Sequence, residues 1–153
     1  MFHDRSRIAL RAAFASYLLV VAGMLATGLV YLFTPRFLPY HAAAYGQAWD
    51  EASVQVQWLY LSMVKAIGAP TLVAAVAIGV ILFIPWRHRE RWALWAVPLL
   101  ALGWGVPMLA VAIYVQGATG AFTPWPVLAF FDALICAAAA LSASSQQMHH
   151  AHA

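Results

Sequence analysis

Charge is scarce in this chain. Of 153 residues, eight are Lys or Arg, five are Asp or Glu, and one is cysteine. So little charge, set against a hydrophobic share of 65% and a mean hydropathy of +0.80, leaves no stretch from which a separate soluble domain could be built. The lone Cys136 cannot close an internal disulfide or supply a paired-Cys metal site; within its apolar run it reads as a small buried hydrophobe. The formal net charge of +3 would suit a polyanion, but the Arg residues gather at the ends of apolar runs. Membrane topology and anionic headgroups account for them there, so nucleic acid is not an expected partner. No nucleophile motif, metal cluster or cofactor fingerprint is recognisable; no cofactor or metal is expected, and the reading leans away from an enzyme.

What the chain does have is apolar length. Residues 1–153 read as one membrane domain of the all-α class, a four-helix transmembrane bundle with spans at 10–33, 58–84, 93–115 and 125–143. The first run is too long for a secretory signal, and Thr34-Pro35-Arg36 is not a small-residue cleavage site, so an uncleaved helix is expected. Arg5, Arg7 and Arg11 precede it, and Arg87, Arg89 and Arg91 crowd the turn between the second and third spans, whereas only Arg36 falls in an outer loop. That bias places both termini in the cytoplasm, with two hairpins joined by the basic turn, an outer segment at 34–54 and a disordered cytoplasmic tail at 144–153. The tail's His149, His150 and His152 lack a fixed surround and read as incidental rather than metal-binding.

Two alignments hint at duplication. Arg5-Ser6-Arg7-Ile8-Ala9-Leu10 matches Arg89-Glu90-Arg91-Trp92-Ala93-Leu94 without gaps, and Phe-Thr-Pro closes both odd helices, at Phe33 and Phe122. Positive-inside charge followed by Ala/Leu composition yields the same pattern without any repeat.

The outer segment and second helix carry the candidate site. Tyr40 to Gly46 suits a short interfacial helix with His41 and Tyr45 at i,i+4. Asp50 reads as the N-cap of the second helix, with Trp49 and Val54 as a hydrophobic staple and Glu51 favoured by the helix dipole. Along that helix Glu51, Gln55, Trp58, Ser62, Lys65 and Ala69 follow alternating four and three spacing, one polar stripe. With His41 and Tyr45, the stripe from Glu51 to Ser62 is expected to line an outer polar cavity. Lys65 and Asp132 are the only ionisable residues well inside the spans. Each stands seven positions past a tryptophan, Trp58 or Trp125, which puts both roughly 10 Å below the outer boundary and predicts an intramembrane ion pair. Snorkelling of Lys65 toward the headgroups is the alternative. Pro70 predicts a kink beside the lysine.

The segment Phe33-Thr34-Pro35-Arg36-Phe37-Leu38-Pro39-Tyr40-His41, with Trp49, Lys65, Gly68 and Arg91-Trp92-Ala93, resembles small four-helix membrane proteins of bacterial families to which no activity is attached. That resemblance implies a multi-pass protein of the bacterial inner membrane. The helix count is also similar to sterol-isomerase-like EXPERA bundles, at the level of architecture only. The expected function is non-enzymatic: binding of a small amphipathic ligand, or service as an accessory subunit of a membrane complex. Partners would then be the lipid bilayer, a small hydrophobic ligand, another membrane protein or a second copy. The alternatives are a small-solute or proton transporter using Lys65 and Asp132, and a membrane enzyme acting on a lipid or isoprenoid with His41 or Glu51 as base.

Overall fold

A computed structural model of the protein describes the backbone of residues 2–150 and the side chains of residues 7–144. Every regular element among the described residues is helical: α1 (Phe2–Phe33), α2 (Pro39–Tyr45), α3 (Val54–Ile81), α4 (Arg91–Thr119) and α5 (Trp125–His150). A 3-10 turn at Trp49–Glu51 precedes α3, and a π-helical turn at Leu82–Trp86 extends it. Four segments, Arg7–Phe33, Val54–Trp86, Arg91–Thr119 and Trp125–Ser144, are long and apolar enough to cross a bilayer. The architecture is that of a multi-pass membrane protein.

The helices form a ring in which α1 packs on α3 and α5, and α4 packs on α5 and α3. Consecutive long helices alternate in direction, so every neighbouring pair in the ring is antiparallel. The diagonals, α1 with α4 and α3 with α5, share no extensive contact. The tightest crossing joins α1 to α3 at Gly28 and Gly68, where a Cβ on Gly68 would stand 2.7 Å from Leu32 N and 2.9 Å from Gly28 O. Missing side chains let the two backbones meet there, which is how small residues bring membrane helices together without a hydrophobic driving force. Toward the basic end the core closes around Tyr17, Val97, Ile78 and Leu82, with Trp86 beneath. Leu29, Val73, Leu99, Val106 and Phe130 point outward, as lipid-facing residues should.

Local signals explain most helix ends, and four expectations need correction. Ser53, not Asp50, caps α3, its hydroxyl accepting from Val56 N–H at 3.4 Å. Asp50 lies inside the 3-10 turn, Glu51 accepts from the Ala48 N–H at 3.1 Å, and Trp49 packs on Phe37 at 4.8 Å rather than stapling to Val54. At the other end, α5 continues to His150 instead of yielding a disordered tail from residue 144; residues 151–153 and the side chains of the terminal histidines lie outside the described residues. Cys136 is exposed on the outside of α5, so it is not a core residue. The two Phe-Thr-Pro segments also bond differently, Thr34 donating to Arg36 O at 2.8 Å and the buried Thr123 to Ala112 O at 2.9 Å.

The basic turn is locally explained. Arg89 N–H donates to Trp86 O at 2.9 Å and Glu90 N–H to Pro85 O at 3.0 Å, a Schellman closure with Arg89 in the left-handed region at φ 59. Glycine is the usual occupant of that position, and a side chain there costs about 1–2 kcal/mol.

Candidate functional site: the Asp132 chamber and the outer aromatic cluster

Asp132 is only 8% exposed, and neither carboxyl oxygen has a hydrogen-bond partner among the described residues. It projects from α5 against α4 at Gly105, where a Cβ would fall on Oδ1 and lie 3.1 Å from Cγ. Glycine at 105 is therefore what makes room for the carboxyl group. Beside it opens a cavity of about 60 Å³ between α1, α4 and α5, walled by Gly23, Thr27, Trp104, Leu128 and Phe131 among others. At about 15 Å³ per water centre this has room for a few waters or one small ion. Trp104 donates its indole N–H to Thr71 Oγ1 at 3.0 Å, and Thr71 donates to Ile67 O at 2.8 Å, so the wall facing α3 is already satisfied. A bare carboxylate at the centre of a membrane helix costs about 2.5–3.5 kcal/mol on the insertion scale. A proton, a cation or water must bear part of that cost.

Lys65 is not that partner. It is exposed on α3, the helix diagonal to α5. The depths also differ. Gly68 meets Gly28, which places Lys65 within about a turn of the end of α1 at Phe33, whereas Phe131 meets Gly23, about two turns further in. The separation along the bundle is on the order of 10 Å. Counting from Trp58 and Trp125 fails because α3 begins well beyond the level at which α1 ends, so the two tryptophans do not mark one plane. Lys65 is placed to snorkel outward.

The polar stripe is turned the same way. Gln55, Trp58, Ser62, Lys65 and Ala69 are all exposed, Trp58 at 68%, and Ser62 spends its hydroxyl on Trp58 O at 2.8 Å. The inward face of α3 instead carries Gln57, Tyr60, Val64, Gly68 and Thr71. Among the described residues no hydrogen bond or ring contact joins Glu51, Gln55, Trp58 or Ser62 to His41. Both Gln57 and Tyr60 were missed from sequence; their signal was the tight i,i+4 and i,i+3 register with Gly68 and Thr71, hidden by the more polar stripe beside it.

His41 sits in a cluster of rings that ties α2 to the start of α3. Tyr60 accepts from Leu38 N–H at 3.1 Å, and its hydroxyl and His41 Nδ1 are hydrogen-bonded at 2.8 Å. Tyr40 and Tyr31 bond hydroxyl to hydroxyl, and the ring of His41 lies 4.1 Å from that of Tyr40. Phe37 stacks edge-on against Trp49 and Tyr60, while Tyr45 lies at its margin, exposed. Burial lowers the His41 pKa, so the imidazole is neutral near pH 7. Burial, then the Tyr31 hydroxyl, raise that of Tyr40 beyond the usual phenol range. The cluster holds a neutral histidine by a hydrogen bond, with Glu51 engaged elsewhere as a cap.

No protein-family model matches the chain, and neither a curated protein nor a solved structure matches it. The chemistry of the site therefore rests on the geometry above. Of the two centres, the aromatic cluster has the hydroxyls of Tyr31, Tyr40 and Tyr60 and the His41 Nδ1 hydrogen-bonded and reads as a clamp on the loop. The Asp132 chamber has a buried acceptor with unspent bonding capacity, which is the condition for taking a ligand.

Proposed function

We propose that the protein is a non-enzymatic carrier of the bacterial inner membrane, with both termini on the cytoplasmic side, that takes a proton or one small cation at Asp132 and passes it across the bundle. The observation that carries this reading is the carboxyl group with both oxygens unbonded beside a small cavity, at mid-depth in a four-helix membrane protein. Intramembrane carboxyl groups facing a bundle interior mark ion and proton paths. At Asp132 an amphipathic ligand is less well supported, because pockets that enclose such molecules run to about 300–1,000 Å³, far above this chamber. Proteoliposomes carrying a trapped pH indicator, with the membrane potential clamped by a potassium ionophore, test the reading. The parent protein should collapse an imposed pH gradient faster than protein-free vesicles, and Asp132→Asn should not. Equal rates for parent and Asp132→Asn would overturn it.

One observation favours the accessory-subunit reading as well. The exposed row Gln55, Ser62 and Lys65 offers polar groups on the outside of a membrane helix, where a second membrane protein could pair with them. Cysteine crosslinking from Ser62 in native membranes separates the two, since a carrier acting alone gives no discrete adduct.

A further inference from the structure

A second cavity opens at the basic end of the bundle, between the start of α1 and the π-helical end of α3. It has a volume of about 620 Å³ and is lined by Arg7, Leu10, Arg11, Phe14, Phe83, Trp86, Arg87 and Arg89. Its wall is divided by chemistry. Leu10, Phe14 and Phe83 make an apolar floor, with Phe14 edge-on to Phe83 at 5.5 Å and tilted against Trp86 at 5.7 Å. The polar groups are donors: guanidinium groups offer N–H and no acceptor, and so does an indole. The Trp86 indole N–H is buried, the residue being 5% exposed, and has no acceptor among the described residues. Among the described residues no carboxylate lines the cleft.

Arg7 and Arg11 stand one turn apart on the same face of α1, and Arg87 lies over the Phe14 ring at 6.0 Å from its centroid. Arg7 and Arg11, like charges one turn apart on one helix face, repel, and that repulsion is offset when an anion rich in acceptors enters. A free anion would use the donors and leave the aromatic floor idle. A phosphate ester carrying an acyl chain would use both, and the cleft lies at the end of the spans, at headgroup depth.

We propose that this cleft binds the phosphate of an anionic phospholipid, with Arg7, Arg11 and Arg87 and the Trp86 N–H on the headgroup and Leu10, Phe14 and Phe83 against the first part of a chain. This site is separate from the Asp132 chamber and stands or falls independently of it. The test is native mass spectrometry of the full-length protein released from nanodiscs of equal phosphatidylglycerol and phosphatidylcholine content. The parent should retain phosphatidylglycerol selectively, and Arg11→Gln and Arg87→Gln should each weaken retention about fivefold. Trp86→Phe, which keeps the ring and removes the donor, should weaken it too, whereas Arg36→Gln at the opposite end should change nothing. Melting curves of each variant establish that it is folded. Equal retention of both lipids by the parent, or unchanged selectivity in Arg11→Gln/Arg87→Gln, would overturn the proposal. Release of the lipid by inorganic phosphate at concentrations that leave Arg36→Gln and the parent equally folded would assign the cleft to a soluble phosphate compound and remove the lipid.

Discussion

Replacing Gly68 with alanine puts the α1–α3 crossing to a quantitative test. The added methyl would meet Leu32 N at 2.7 Å, Gly28 O at 2.9 Å and Tyr31 Cβ at 3.0 Å, and two of these three are backbone atoms that no rotamer change can move. Ordinary contact begins near 3.4 Å, so the helices must part by about 0.7 Å, an overpacking that costs about 1–3 kcal/mol. Because Gly→Ala inside a helix also gains up to about 1 kcal/mol of intrinsic propensity, the reference is Gly103→Ala, whose Cβ would meet nothing within 4 Å. For a chain of this size the difference corresponds to a melting temperature lower by about 2–12 °C. Tryptophan fluorescence during heating in one detergent, with size-exclusion elution as a check on folding, measures both variants side by side. If Gly68→Ala melts with or above Gly103→Ala, the two backbones are not in contact and the crossing described here is wrong.

Lys65→Met should leave the folded yield near that of the parent, and its effect should add to that of Asp132→Leu without coupling, since the two residues occupy diagonal helices; a double variant more stable than the sum of the two single effects would restore the ion pair. Gly105→Ala should disturb the chamber as Asp132→Asn does, because the methyl falls on the carboxyl group; unaltered proton flux in this variant would refute the placement of Asp132. His41, whose pKa burial lowers in the folded protein, binds its proton more readily when unfolded. Stability of the outer segment should therefore decline as pH falls below about 6.5, and be lost progressively down to the folded-state pKa. Tyr31, Tyr40 and Tyr60 are the other polar rings that face it. Hydrogen exchange of the Pro39–Tyr45 helix at pH 5 and 7.5 reads this out, and His41→Gln should flatten the difference.

The four spans were legible because a run of apolar residues long enough to cross a bilayer has few alternatives, and two of them, Arg7–Phe33 and Arg91–Thr119, open on an arginine. The short α2 helix was legible from Pro39 and Gly46, which adopts φ 82 at its end. Rotation of a membrane helix about its axis was not legible. Water makes a polar stripe informative by facing it outward, whereas in a membrane both inward burial and headgroup contact can satisfy it, so Gln55, Ser62 and Lys65 gave the wrong face. Depth failed for a related reason: tryptophan marks an interface only if its helix starts there, and α3 does not. Asp132 was recognisable as exceptional from its type and position, but its lack of a partner depended on Gly105, whose role appears only once α4 and α5 are packed.

The π-helical turn at Leu82–Trp86 has an evolutionary and engineering consequence. Such a turn is an α-helix that has absorbed one extra residue. Everything downstream is set back by one position, about 100° of rotation, relative to an uninterrupted helix. Excising a single residue from this turn would let α3 run on as regular helix and swing Trp86 and Arg87 away from Phe14, while leaving the upstream crossing at Gly68 untouched. The direction in which the basic end faces is thus tied to a one-residue surplus, and a one-residue deletion would re-aim it.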